Sequence, residues 1–176
     1  MSAAAAGGAL DPAALGLEAL RWRDGALELL DQERLPGAEE WLRVGSVAAF
    51  EEAVLRLAVR GAPALGCAGA YALVVALQDA EGPEAWEARR REAAPRLAAV
   101  RPTAVNLRVG VERMDAVAAE LAAGARPFAD WAPALLEAAR AFHAGHHGAG
   151  VGTEPLIERK SVVVLARSNA HCDALG

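Results

Sequence analysis

The most constraining feature of the sequence is a run of sixteen uncharged residues from Ala62 to Leu77. Pro63, Gly66 and Gly69 interrupt this run, which is also shorter than the ~20 apolar residues that a helix needs to cross a bilayer. A helix that is apolar on all sides but too short for a membrane is typical of the centre of a globular core. The run therefore predicts one buried helix around which the rest of the chain packs.

The composition of the chain is consistent with such a core. It has 176 residues, of which 54% are hydrophobic, and its formal net charge of −5 argues against a broad basic surface for nucleic acid. Its two cysteines, Cys67 and Cys172, lie far apart and predict no disulfide framework. Residues 1–16 are rich in alanine and glycine and lack the features of a secretory signal, so we expect a disordered tail. These features predict a soluble cytoplasmic protein that binds neither nucleic acid nor membrane.

A β-hairpin is predicted near the start of the chain, because the dipeptide Asp24-Gly25 suits a two-residue turn between two short apolar segments. In this register the apolar partners share one face, and Arg21 lies opposite Glu28 on the other face. The predicted apolar pairs are Leu20 with Leu29 and Trp22 with Leu27.

A helix is predicted after Ser46, whose side chain suits an N-cap, and it is expected to end at Arg60-Gly61. Its apolar stripe consists of Val47, Phe50, Val54 and Leu57.

Three more helices are predicted after the buried one. The first, over residues 86–100, is charged and solvated, with Pro95 as a kink or break and the arginine run at 89–91 on its wet face. The second carries an apolar stripe over residues 107–121, and the third spans residues 130–142.

The last part of the chain predicts a different kind of structure. A loop rich in glycine and histidine is expected over residues 143–152, and the β-branched run at 161–166 predicts a buried parallel strand. We therefore expect an α/β protein with a hairpin and helical domain over residues 17–145. Residues 146–176 are expected to form a linker and the first strand of an α/β sheet.

The best candidate site precedes the buried helix, where Arg60, Gly61 and Ala62 meet a helix N-terminus with unpaired N–H groups. Gly61 allows close backbone approach, and the planar fork of Arg60 can hold two oxygens of a phosphate or carboxylate. Arg101 stands in a similar place ahead of a later helix. The two elements either converge on one anion or are an ordinary helix break and an unrelated cap, and the spacing alone leaves both interpretations open.

The histidines do not predict a metal site, because His143, His146 and His147 have no carboxylate or thiol at ligand spacing. The glycines at 148–152 precede a strand instead of following one, so they do not indicate a dinucleotide site. A thiol that could be activated lies at Cys172, just beyond the predicted strand, where open α/β sheets bind ligands.

Several segments together resemble the methylthioribose-1-phosphate isomerase family. They are LEALRW at 17–22, LDQ at 30–32, VRGAPALG at 59–66 and RPTAVNL at 101–107. The resemblance covers residues 17–121 and extends to the regulatory subunits of a translation-initiation exchange factor. It implies a mostly helical N-terminal domain followed by a Rossmann-like domain. It also implies a cytoplasmic sugar-phosphate aldose–ketose isomerase of methionine salvage, an intramolecular oxidoreductase that acts on 5-methylthioribose 1-phosphate without metal or other cofactor and allows a homodimer.

The resemblance also assigns residues. Its substrate contacts fall on Arg60, Gly61, Ala62 and Arg101. Its catalytic thiol falls on Cys172, or on Ser168 if the alignment is counted from the strand. The family's acid/base aspartate has no counterpart in this sequence, so we expect an impaired fragment with little isomerase activity. The alternative is a non-catalytic regulatory or interaction module like the exchange-factor subunits.

Overall fold

The computed structural model describes residues 19–147, which form a mixed α/β structure with a small sheet and a set of helices. The strands are β1 (Leu20–Arg23), β2 (Ala26–Leu30) and β3 (Trp41–Val44). The helices are α1 (Val47–Leu55), α2 (Ala62–Leu77), α3 (Pro83–Ala99), α4 (Val105–Ala123) and α5 (Trp131–His147), with a 3-10 turn at Phe128–Asp130 before the last. The predicted tail over residues 1–16 and the predicted strand at 161–166 lie outside the described residues.

The sheet has the order β1-β2-β3 and is antiparallel throughout. The predicted hairpin register is confirmed in all its pairs, with both turn residues, Asp24 and Gly25, at positive φ. On the outer face, Arg21 Nε donates to Glu28 Oε2 at 2.7 Å. The inner face packs on α2, so the hairpin closes one side of the core.

Helix α2 is the centre of the structure, as the uncharged run predicts. Every residue from Leu65 to Leu77 except Ala76 is buried, and the sheet and all the other helices named above contact α2 on different sides, apart from the short 3-10 turn. Among residues 19–147, no helix is long and apolar enough to cross a membrane.

Helix α1 begins where the sequence predicts but ends earlier than predicted. Ser46 Oγ accepts the N–H of Ala49 at 3.2 Å, which confirms the N-cap. The expected end at Arg60-Gly61 is wrong, because the helix stops at Leu55.

The early end of α1 has a local cause. The N–H of Leu57 bonds to the carbonyl of Val54 (3.1 Å) and the N–H of Ala58 bonds to the carbonyl of Ala53 (2.9 Å), which together form a Schellman motif. Leu57 takes the left-handed conformation (φ +64°) that glycine usually takes at this position. Leu57 is therefore not part of the apolar stripe, and its side chain is partly exposed.

Helix α3 is less solvated than predicted and runs through Pro95 without a break. Trp86 is buried, and Arg90 is held between two carboxylates, with Nη1 2.7 Å from Asp115 and Nε 3.0 Å from Glu87. The three arginines of the run therefore do not all lie on a solvated face, because Arg90 is packed between two carboxylates.

Helix α5 is longer than predicted. The loop expected from His143 is wrong for residues 143–147, which continue the helix to His147. The extension packs on α2, where His143 Nδ1 lies 3.3 Å from the hydroxyl of Tyr71. The helix continues through Gly145 although glycine has a low helix propensity, because tertiary contacts such as the one between His143 and Tyr71 can outweigh propensity.

Candidate functional site

The site is positioned by an unusually close contact between α2 and α4. Each helix contributes glycine at this contact: Gly66 and Gly69 from α2, and Gly110 from α4. A Cβ on Gly110 would overlap the Gly66 carbonyl oxygen, and a Cβ on Gly69 would lie 2.7 Å from the carbonyl oxygen of Leu107. The two backbones therefore touch, which brings the first turns of both helices to one surface.

A surface cleft of about 440 Å³ opens between these two helix beginnings. Both candidate arginines line it, so the structure brings Arg60 and Arg101 together although 41 residues separate them in the sequence. The residues that line the cleft are Leu57, Arg60, Gly61, Ala62, Leu65, Arg101, Thr103, Ala104, Val105 and Asn106. The structure therefore places the two elements side by side. That these residues bind an anion stays a prediction.

The charge of the cleft is positive and uncompensated within the part of the chain that the structure describes. Its lining contains no aspartate or glutamate. Within residues 19–147, neither Arg60 nor Arg101 forms a salt bridge. An anion entering the cleft would therefore meet two guanidinium groups without competing with a protein carboxylate.

The helix N-termini add to this field. Helix α2 follows Gly61 (φ +92°) and α4 follows Ala104, and neither helix has a side-chain cap, in contrast to the Ser46 cap of α1. Apart from Pro63, which has no N–H, and Leu107, whose N–H bonds to the Ala104 carbonyl, the first-turn N–H groups can reach a bound anion. The positive dipole ends of both helices lie at the same cleft.

Arg60 is held at a defined place in the cleft. Its Nε donates to the main-chain carbonyl of Leu57 at 3.1 Å, while its side chain is otherwise exposed. The neighbouring Arg56 behaves differently, since it pairs with Asp31 (2.8 Å) and Glu33 (3.0 Å), and these hydrogen bonds raise its pKa.

Several residues that line the cleft are not among the candidates predicted from the sequence, namely Leu57, Leu65, Thr103, Ala104, Val105 and Asn106. In the sequence, these residues are marked only by their position within or next to the two arginine motifs. That position indicates a shared site only once the structure shows that the two motifs lie together.

The remaining candidates are not among the described residues that line the cleft. Cys67 is buried in α2, and burial raises the pKa of its thiol to about 12, so it is a core residue. Ser168 and Cys172 lie outside the described residues. His146 Nδ1 lies 2.7 Å from the carbonyl of Phe142, and no group of three metal-ligating side chains occurs within residues 19–147.

Two known proteins with similar sequences carry the same name. A methylthioribose-1-phosphate isomerase of Syntrophotalea carbinolica is 36% identical over 171 residues, which cover 91% of this chain and 46% of that protein. One of Pseudomonas putida (strain KT2440) is 47% identical over 104 residues, which cover 58% of this chain and 29% of that protein. This chain is related to the methylthioribose-1-phosphate isomerases. The predicted resemblance is confirmed, although the chain spans less than half the length of these relatives and no protein-family model matches it.

Solved structures extend the relationship in the direction that the sequence predicts. The translation initiation factor eIF-2B, subunit delta, from A. fulgidus matches with a TM-score of 0.61 and 35% identity over 74% of this chain and 36% of that chain. The 5-methylthioribose 1-phosphate isomerase from Pyrococcus horikoshii matches with a TM-score of 0.64 over 70% of this chain and 35% of that chain. Because the two sequences are 23% identical, this match shows a shared fold alone. The two arginine motifs that suggested the methylthioribose-1-phosphate isomerases are the segments that line the cleft.

Proposed function

We propose that this chain carries the phosphate-binding part of an aldose–ketose isomerase that converts 5-methylthioribose 1-phosphate to 5-methylthioribulose 1-phosphate in methionine salvage. The observation that carries the proposal is the meeting of Arg60 and Arg101, without a carboxylate, at a cleft where two uncapped helices begin. The names of the similar proteins supply the substrate.

The chemistry of the cleft suits a phosphate monoester. A dianionic phosphate presents several acceptor oxygens, and two guanidinium forks and several main-chain N–H groups can satisfy them together. Gly61 leaves open space where a side chain would stand. Thr103 and Asn106 add polar side chains to the lining, and we assign them to the sugar hydroxyls.

Binding, and not proton transfer, is the role that we propose for the described residues. The reaction moves hydrogen between C1 and C2 of the sugar, which requires an acid/base group, and the lining contains no Asp, Glu, His or Cys. We propose Cys172 as the catalytic thiol, with Ser168 in the other register, on the resemblance alone. The same resemblance supports a Rossmann-like strand over residues 161–166, a cofactor-free intramolecular oxidoreductase reaction, a cytoplasmic location and a homodimer.

Calorimetry with 5-methylthioribose 1-phosphate tests the binding proposal on the full chain. Arg60→Ala and Arg101→Ala should each weaken binding by tenfold or more, on the order of the 1.5–3 kcal/mol of a hydrogen bond to a charged group. Arg113→Ala is the matched control, because this exposed arginine lies on α4 away from the cleft and should leave binding unchanged. Equal affinity of all four proteins would contradict the proposal.

A second candidate function is a regulatory or interaction module, which is favoured by the similarity to the eIF-2B subunit at 35% identity. Such a module keeps the fold without using the cleft for catalysis. Absence of sugar-phosphate binding in both the unsubstituted chain and Arg60→Ala would favour this module over the isomerase.

A further inference from the structure

The turn that ends α1 contains a leucine in a conformation that suits glycine. Leu57 has φ +64°, where the Cβ of an L residue crowds its own backbone. Two main-chain hydrogen bonds, from Leu57 to Val54 and from Ala58 to Ala53, hold it there. Strained backbone of this kind persists where the surrounding structure determines it, and it is concentrated at functional sites.

The carbonyl of this strained residue is bonded to Arg60, whose Nε donates to it at 3.1 Å. The segment between them is fixed, because Ala58 and Val59 are fully buried and the Ala58 carbonyl accepts the N–H of Gln32 at 2.9 Å. Gly61, which follows Arg60, also has positive φ (+92°). Arg60 thus lies in an anchored turn, with one residue at positive φ three positions before it and another directly after it.

The neutral character of the acceptor matters for the charge in the cleft. Arg56 is held by the carboxylates of Asp31 and Glu33, which compensate its charge. The Leu57 carbonyl instead fixes Nε of Arg60 without neutralising the guanidinium. Within residues 19–147, the bond from Nε is the one seen for the Arg60 side chain, so both terminal nitrogens can donate to a ligand with the guanidinium still charged.

We propose that Leu57 is a positioning residue for Arg60: its left-handed backbone aims its carbonyl at Nε and thereby sets the guanidinium in the cleft. The inference rests on the proposed function of the cleft as a phosphate-ester site. It assigns the role to the main chain of Leu57 and not to its side chain. Glycine at position 57 should therefore perform as well as leucine, whereas a β-branched residue, which is a genuine outlier at positive φ, should not.

The first experiment reads the contact without any ligand. Solvent exchange of the Arg60 Nε–H is measured by NMR on the full chain, on Leu57→Gly and on Leu57→Ile. We expect protection in the unsubstituted chain and in Leu57→Gly, and faster exchange in Leu57→Ile. Equal exchange in all three proteins overturns the proposal.

The second experiment titrates the same proteins with inorganic phosphate. Leu57→Ile should bind about tenfold more weakly than the unsubstituted chain, the order of one hydrogen bond to a charged group, and Leu57→Gly should bind more tightly than Leu57→Ile. In an Arg60→Ala background, Leu57→Ile should change nothing further. An equal loss in both backgrounds overturns the proposal, because the residue would then act through the fold and not through Arg60.

Failure of this proposal and failure of the proposed function are distinguishable. A protected Nε–H in a chain that does not bind phosphate supports the contact and rejects the phosphate site. Phosphate binding that depends on Arg60 but without a protected Nε–H rejects the positioning role alone. If Leu57→Ile does not fold, the smaller Leu57→Val takes its place, since valine is also β-branched and disfavours positive φ for the same reason.

Discussion

Gly110 lies so close to Gly66 that any Cβ on Gly110 would overlap the Gly66 carbonyl oxygen. Helices α2 and α4 can approach one another this closely only without a side chain at this point. Because both helices begin at the cleft, this contact in the core sets the distance between the two arginine-bearing segments.

Gly110→Ala should therefore cost about 2–4 kcal/mol of the free energy of unfolding, since the added methyl group meets rigid backbone. Urea denaturation measures this loss. Gly145→Ala is the matched control, because the same substitution in α5 meets no atom within 4 Å. It should be neutral or stabilise by up to about 1 kcal/mol through helix propensity. Equal stabilities of the two variants would contradict the close contact.

The buried carboxylate of Asp31 should be the ion-pair member most sensitive to substitution. Asp31 is 2% exposed, lies 2.8 Å from Arg56 and accepts the N–H of Glu33 at 3.1 Å. Asp31→Asn should lower the free energy of unfolding by about 2–3 kcal/mol, because it weakens a buried charged hydrogen bond. Glu33→Gln removes the charge of the more exposed carboxylate that pairs with Arg56, and it should lower the free energy of unfolding by less than about 1 kcal/mol. Equal losses measured by chemical denaturation would refute this ranking.

The stability supplied by Glu87 should depend on pH. The hydrogen bond from Arg90 lowers the pKa of the Glu87 carboxyl below its ordinary value. A carboxyl with a depressed folded-state pKa stabilises the fold above its unfolded pKa, and this contribution is lost as the pH falls through the lowered value.

Glu87→Gln should thus be less stable than the unsubstituted chain at pH 7, by no more than about 1 kcal/mol because solvent screens the partly exposed pair. The difference should shrink as the pH falls below the ordinary glutamate pKa of about 4.3, and it should vanish below the lowered pKa of the folded state. Denaturation curves at pH 7 and at pH 3 check this sign. The matched control for the loss of one surface carboxylate is Glu120→Gln, an exposed residue for which no salt bridge is seen within residues 19–147.

Cys67 should be unreactive in the folded protein. Burial raises the pKa of its thiol to about 12, so the thiolate that reacts with alkylating agents is nearly absent at pH 8. In a Cys172→Ala background, iodoacetamide should label Cys67 in denaturant and leave it unmodified under native conditions, as mass spectrometry would show. Rapid native labelling would mean that α2 opens or that the residue is not in the core.

Local features of the fold could be predicted from the sequence where one residue pattern decides the structure. The Asp24-Gly25 turn fixed the hairpin register, and the uncharged run identified α2. The end of α1 could not be predicted, because the residue that takes the left-handed position is Leu57, which carries none of the signal of glycine. The extension of α5 was missed for a related reason, since contacts with α2 and not local propensity keep residues 143–147 helical.

The candidate site was predictable in its parts and not in its assembly. Each arginine motif precedes a helix, which sequence patterns indicate well. That Arg60 and Arg101 share one cleft depends on a tertiary contact between glycines, and the glycines at 66 and 69 had been interpreted only as interruptions of an apolar run. The roles of Cys172 and Ser168 stay predictions.

The central position of α2 has a consequence for recognition. Helix α2 is buried from Leu65 onward, and its exposed first turn borders the cleft, so that turn is attached to a helix that the packing of the interior holds in place. A ligand arriving there would need no loop closure on the part of α2 and would cost little ordering entropy in this element. Induced fit, if the reaction uses it, then has to come from parts of the protein other than this helix.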